Sequence, residues 1–156
     1  MSHSKSNTSG LSQISHADWA NYLNQLVWDH AVDLTAVERT AIDPLIRRFV
    51  NWIRKLARVA QRAIPYFYAV ESHSSGAPHI HSVVAGTRDI RCEHVADLWG
   101  RDQSCVREYD PGRGAAGYFS KSVLEEGAIY DVSRRMPPRR VSLEPLERKG
   151  RDSAVP

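Results

Sequence analysis

Apolar residues recur along the chain at two different periods, which predict alternating helices and strands. The helical period is clearest at 39–63, where six apolar residues form one stripe and arginines and a lysine lie elsewhere. The aromatic and β-branched run at 65–72 is typical of a strand. The predicted elements are a helix at 15–28, a strand at 30–37, a helix at 39–63, strands at 65–72 and 79–86, a helix at 90–100, a strand at 104–109, a helix at 114–127 and a strand at 128–132.

This order of elements predicts an α+β fold with a central, mostly antiparallel sheet flanked by helices. A chain of 156 residues without an internal repeat is typical of one domain with a hydrophobic core. We expect a disordered leader at 1–14, the folded domain at 15–133, and a basic tail rich in proline and arginine at 134–156.

Composition narrows the class of protein without fixing a function. The net charge of +3 and the pI of about 9.0 permit an anionic partner such as nucleic acid but do not require one. Cys92 and Cys105 form no CxxC pair and are expected to be reduced thiols. No apolar run is long enough to cross a membrane, and no secretory signal is evident, so we expect a cytoplasmic protein without a membrane partner.

The stretch GAPHIHSVVAG at 76–86 places His79 and His81 on one face of a strand. If the hairpin turns near residues 76–77, Glu71 lies opposite His79, and the small Ala69 lies opposite His81. Two imidazoles and a carboxylate on one face suit a divalent cation, Mg²⁺ or Mn²⁺. His73 has the same parity as Glu71 and is an alternative third ligand.

Other interpretations of these histidines remain. They can be ordinary residues of a hairpin, since one His-x-His pair is a weak motif. A histidine-triad nucleotide hydrolase is disfavoured because Val83 stands where the third histidine would be. A two-histidine phosphoesterase needs two His-x-Ser/Thr motifs, and only His81-Ser82-Val83 is even loosely similar to one.

The segment GYFSKS places Tyr118 and Lys121 three residues apart, on the same face of a predicted helix. Near a divalent metal, the tyrosine oxygen could attack a phosphodiester while the lysine orients the phosphate. The alternative is that Tyr118 is a core residue and Lys121 its solvated neighbour. Neither motif is specific by itself.

Taken together in chain order, the motifs resemble the HUH endonuclease superfamily. The likeness is greatest to the Rep proteins that start rolling-circle replication of small plasmids and single-stranded DNA viruses. It covers about residues 28–133 and rests on three matches: AVDLT at 31–35, GAPHIHSVV at 76–84 and AAGYFSK at 115–121. The first match is degenerate. The resemblance implies a nuclease fold related to the ferredoxin and RRM folds, and an enzyme with one catalytic tyrosine.

The resemblance also implies roles for individual residues. His79, His81 and Glu71 would bind Mg²⁺ or Mn²⁺, and Tyr118 would attack a DNA phosphate. The products would be a 5′-phosphotyrosine and a free 3′-hydroxyl, with Lys121 assisting near the scissile phosphate. The chain has no phosphate-loop motif of the kind that an attached helicase would carry.

The expected partner is single-stranded or hairpin origin DNA, bound along a cationic track. Three alternatives stay open: a single-tyrosine HUH transposase, a non-catalytic DNA-binding module derived from a Rep protein, and a metal-dependent hydrolase with no covalent step. Trp52 and Trp99 are expected to be core residues. The arginines predicted to contact DNA are Arg88, Arg91, Arg107 and Arg113, with Arg101 and the tail arginines as further candidates.

Overall fold

The computed structural model describes residues 15–35, 41–72, 77–121, 123 and 128–140, and its helices and strands follow the predicted order. Two short 3-10 segments, Arg101–Gln103 and Pro111–Arg113, precede β4 and α4. The elements are α1 (His16–Asn24), β1 (His30–Thr35), α2 (Ile42–Ala60), β2 (Tyr66–Ser72), β3 (Pro78–Val84), α3 (Cys92–Asp97), β4 (Ser104–Glu108), α4 (Ala115–Lys121) and β5 (Ile129–Val132).

The five strands form one antiparallel sheet in the order β4-β1-β3-β2-β5. The predicted α+β fold with an antiparallel sheet and flanking helices is therefore confirmed. Strand β3 lies at the centre, with its hairpin partner β2 on one side and β1 on the other. Residues on all three strands can consequently meet on one face of the sheet.

One face of the sheet is covered by α2 and α3. The apolar stripe predicted for α2 packs against Leu34, Val70 and Ile80 of the sheet. Phe49 and Trp52 are among the largest fully buried side chains, and Trp99 is also buried, as predicted for the two tryptophans. The main hydrophobic core therefore lies between α2, α3 and this face, which we call the α2 face.

The opposite face is covered by α1 and α4, and we call it the α4 face. Phe67, Ala69 and Val83 of the sheet pack there with Leu23 of α1 and Ala116 of α4. The contact of α1 with α4 is extensive, so the two helices act as one cover over this second, smaller core. Odd-numbered residues of β2 and β3 point to the α4 face because side chains alternate along a strand.

Two helix ends differ from the sequence prediction for local reasons. Helix α1 begins after the predicted N-cap Ser15, which forms a capping box with Asp18. It ends at Asn24, before Trp28, whose indole folds back to donate to the Leu23 carbonyl at 2.9 Å. Helix α2 ends at Ala60 because Gln61 adopts a left-handed conformation, with φ of 53°.

The predicted terminal segments are only partly described. The expected leader at 1–14, residues 73–76 of the hairpin turn and residues 141–156 lie outside the described residues. The described start of the tail packs against the segment after α1, where the Val27 amide donates to the Pro138 carbonyl at 2.9 Å. Residues 138–140 therefore contact the folded domain.

Candidate active site

The hairpin register places the predicted acidic and histidine residues together. Glu71 pairs with His79 and Ala69 with His81, as the sequence predicted. On the other side of β3, Asp33 of β1 pairs with His81 and Thr35 with His79. All of these residues point to the α4 face, because directly paired residues share a face of the sheet.

His81 is the centre of a hydrogen-bonded row across three strands. Its Nδ1 lies 2.7 Å from Asp33 Oδ1, and its Nε2 lies 2.7 Å from Glu71 Oε2. Arg107 of β4 extends the row, since its Nη1 donates to Asp33 Oδ2 at 2.8 Å. Ionised carboxylates can only accept hydrogen bonds, so both ring nitrogens of His81 act as donors in this arrangement.

The charges in the row stabilise one another. Burial by itself would lower the pKa of His81, but the hydrogen bonds to Asp33 and Glu71 outweigh it and raise that pKa. Burial would likewise raise the pKa of Asp33, but hydrogen bonds from His81 and Arg107 lower it. Two cations thus alternate with two carboxylates, in the order Arg107, Asp33, His81, Glu71.

Asp33 is the residue at this site whose role the sequence did not reveal. The strand AVDLT contains it, but its contact with His81 depends on β1 lying beside β3, at long range in the chain. An imidazole that ligates a metal through one nitrogen commonly donates its other N–H to a carboxylate. Asp33 stands in that relation to the Nδ1 of His81, which leaves Nε2 directed toward Glu71.

The donor set at the site fits a divalent cation in its chemistry. His79, half-buried on β3, stands beside Glu71, so two imidazoles and one carboxylate share this part of the α4 face. Among the described residues, no three His, Cys, Asp or Glu side chains are already arranged as a metal-ligand group. A bound cation would have to replace the hydrogen bond between His81 and Glu71. His73, the alternative ligand, lies outside the described residues.

Helix α4 carries the predicted tyrosine motif over the same face. Gly114, with φ of 69°, turns the chain from the 3-10 segment into α4, a conformation that glycine adopts without strain. His16 of α1 fixes the helix by a 2.6 Å hydrogen bond to the Gly117 carbonyl. Tyr118 and Lys121 therefore both belong to a helix of the α4 face, and Lys121 is exposed. The side chain of Tyr118 is outside the described part.

A comparison with known protein families matches the part of the chain that holds this site. The family model of the replication-associated protein ORF2 matches residues 29–126, more than half of the chain. The chain belongs to this family of replication-associated proteins. Searches of curated proteins and of solved structures returned no match. Membership makes a role associated with replication, and DNA as a partner, part of the description of this chain.

The family match contains every residue that this site draws on. It begins just before β1 with Asp33 and ends after α4 with Tyr118 and Lys121. Strand β5 lies outside the matched range, although it completes the sheet beside β2. None of the helices within the described residues is long and apolar enough to cross a membrane.

The four arginines predicted to contact DNA occupy different places in this replication-associated protein. Arg107 joins the row at His81, and Arg113 lies just before α4, 3.5 Å from Asp110. Arg88 and Arg91 line a groove of about 320 Å³ with His30, at the end of β1 remote from Thr35. The structure therefore brings Arg107 to the candidate site and places Arg88 and Arg91 away from it.

Tyr130 gives the α4 face an exposed aromatic ring. It pairs with Ala69, which pairs in turn with His81, so it stands in the same cross-strand row as the site. Its side chain is 43% exposed, and its ring packs edge-on against Trp19 at 5.7 Å between centroids. As the sequence predicted, Tyr130 is a strand residue; its exposure beside the site is what the sequence left out.

Proposed function

We propose that this chain is an HUH-type nuclease with a single catalytic tyrosine, which nicks and rejoins single-stranded DNA at a replication origin. The observation that supports this most is the hairpin register, which aligns Glu71 with His79 on the face that α4 covers. Membership in a replication-associated family supports the biological setting. Each feature by itself has an ordinary explanation, and the proposal rests on their combination.

In the proposed reaction, the phenol oxygen of Tyr118 attacks the DNA phosphorus. The bond from phosphorus to the 3′-oxygen breaks, and that oxygen keeps the electron pair and takes up a proton as the phenol loses one. The products are a tyrosine linked to the 5′-phosphate and a free 3′-hydroxyl. Attack by a 3′-hydroxyl on the phosphotyrosine reverses the step and rejoins a strand.

A divalent cation, Mg²⁺ or Mn²⁺, held by His79, His81 and Glu71 would polarise the phosphate when bound. Asp33 contributes by fixing the His81 ring through Nδ1, and Arg107 contributes by holding Asp33. Lys121 lies one helical turn from Tyr118 and is proposed to stabilise charge on the phosphate. Tyr130 offers an exposed ring on which a base of the single strand can stack.

The test is to look for a covalent adduct in a format that does not depend on the origin sequence. The purified chain is incubated with Mn²⁺ and a single-stranded DNA pool that contains a randomised stretch, and is then run on a denaturing gel. We expect an adduct from the wild-type chain and from Tyr130→Phe, but none from Tyr118→Phe or His79→Ala.

Three results would contradict the proposal in different ways. Absence of an adduct from the wild-type chain across the pool would favour a non-catalytic DNA-binding module. Cleaved DNA without an adduct would favour a hydrolase with no covalent step. An adduct that survives in Tyr118→Phe would assign the nucleophile to another residue.

A further inference from the structure

Helix α2 concentrates positive charge on the side of the sheet away from the candidate site. Its 19 residues include five lysines and arginines, and its single carboxylate, Asp43, lies in the first turn. This excess of four exceeds the net charge of +3 of the whole chain. The apolar stripe of α2 is buried against the sheet, so the cations form its outer surface.

Several of these cations line a groove between α2 and the end of α3. The groove has a volume of about 580 Å³, and its lining includes Arg47, Lys55 and Arg58. Arg48 forms part of the wall, with its guanidinium 4.2 Å from the Trp99 ring centre and donating to the Trp99 carbonyl at 2.7 Å. We call this feature the α2 groove.

The exposed cations of the α2 groove have no acidic partner within the described part of the chain. No described carboxylate lies within ion-pair distance of Arg47, Lys55 or Arg58. By contrast, Arg62 and Arg101 each pair with an aspartate, at 2.6 and 2.7 Å. A row of cations that the fold does not neutralise favours binding of an anionic partner.

The geometry of the groove favours a phosphate backbone over the alternatives. Arg47 and Arg58 are 11 residues apart on α2, which corresponds to roughly 16 Å along the helix axis. Trp52 and Trp99, the tryptophans of the groove, are only 1% and 5% exposed, so neither offers the stacking surface typical of single-strand sites. Contacts with phosphates alone, independent of sequence, are typical of duplex binding.

The α2 groove and the candidate site lie at the same end of β1. The Trp99 indole donates to the Thr35 carbonyl at 2.9 Å, and Thr35 pairs with His79 across the sheet. Trp99 thus joins the groove to the strand that borders the histidines. DNA that leaves the site over this end of the sheet would reach the α2 groove.

We propose that the α2 groove binds the phosphate backbone of double-stranded DNA that flanks the nicked single strand. This inference rests on the proposed function for its biological meaning, but duplex binding is measurable without cleavage. The groove holds a duplex arm while the α4 face acts on the single strand. Arg47, Lys55 and Arg58 supply the cations, and Arg48 keeps its wall in place through Trp99.

The experiment measures binding of a fluorescent 20-base-pair duplex by anisotropy at several salt concentrations. In the variant Arg47→Gln/Lys55→Gln/Arg58→Gln, affinity should fall, and the slope of log K against log salt should become shallower by roughly 2–3. Glutamine retains helix propensity close to that of arginine and lysine. The matched control is Arg47→Lys/Lys55→Arg/Arg58→Lys, which keeps each charge and should bind as the wild-type chain does.

A second measurement separates this inference from the proposed function. Adduct formation with a short single-stranded oligonucleotide, which has no duplex arm, should be unchanged in the glutamine variant. Wild-type duplex affinity and salt slope in that variant would overturn the inference, as would equal loss in the charge-keeping control. Binding of anionic phosphatidylserine vesicles in place of the duplex would also overturn it. Absence of any adduct from the wild-type chain would refute the proposed function and leave the duplex result standing.

Discussion

Replacing Asp33 with asparagine tests whether the row across the sheet organises the candidate site. The substitution keeps the size of the side chain but removes the charge that accepts from His81 at 2.7 Å and from Arg107 at 2.8 Å. It leaves the Arg107 guanidinium without its carboxylate partner. It also removes the interaction that fixes Nδ1 of the His81 ring as a donor.

The structure sets the size of the expected effects. A hydrogen bond to a charged group contributes about 1.5–3 kcal/mol, and the Asp33 side chain is 30% exposed, which favours the lower end. We therefore expect the free energy of unfolding to fall by roughly 1.5–2 kcal/mol. Loss of a carboxylate behind a metal-binding histidine typically weakens metal affinity or activity by about 10- to 100-fold.

The assays are urea unfolding and a calorimetric titration with Mn²⁺. The matched control is Asp131→Asn on β5, which makes the same change on the α2 face, where Asp131 accepts from Tyr66 at 3.3 Å. A double-mutant cycle of Asp33→Asn with Arg107→Gln should show non-additive losses of stability, because the two residues are in contact. Wild-type Mn²⁺ affinity in a folded Asp33→Asn variant would refute the reasoning about the metal site. Additive losses in the cycle would refute the coupling.

Three further predictions concern the fold. Phe49→Ala should lower the free energy of unfolding by about 3–5 kcal/mol, because this fully buried ring packs between α2 and the sheet; a loss below about 1 kcal/mol in urea unfolding would contradict this. Ser15→Ala should cost about 1 kcal/mol by removing the capping box with Asp18, and unchanged thermal stability would argue against it. Burial lowers the pKa of His30, which bonds Thr87 at 2.7 Å, so the unfolded chain takes up a proton first and stability falls below a pH of about 6.5. His30→Gln should show a smaller loss between pH values of about 7.5 and 5.5 than the wild-type chain in urea unfolding, whereas equal losses would contradict the assignment.

The sequence predicts the local parts of this site well. The hairpin register follows from the Gly and Pro turn signals and the two-residue period of a strand, so the pairing of Glu71 with His79 could be predicted. Helix α2 could be predicted from its apolar stripe. These features depend on residues that are close together in the chain.

Features that depend on distant residues could not be predicted in the same way. Asp33 meets His81 because β1 is the second neighbour of β3, and the strand pattern does not specify that order. Arg88 and Arg91 follow β3 in the chain, yet they lie at the far end of β1 from the histidines. The α2 groove likewise forms where α2 meets the end of α3, so no single segment of sequence indicates it.

The most direct test of the central claim is to locate the DNA-linked residue by mass spectrometry. After reaction with Mn²⁺ and single-stranded DNA, trypsin releases residues 114–121, which contain Tyr118 as their only tyrosine. Tyr109 and Tyr130 fall in separate peptides, 108–113 and 122–134. We predict a nucleotide mass on the 114–121 peptide, attached at Tyr118. A nucleotide attached to Tyr109 or Tyr130, or no modified peptide from DNA that has been cut, would contradict the proposed mechanism.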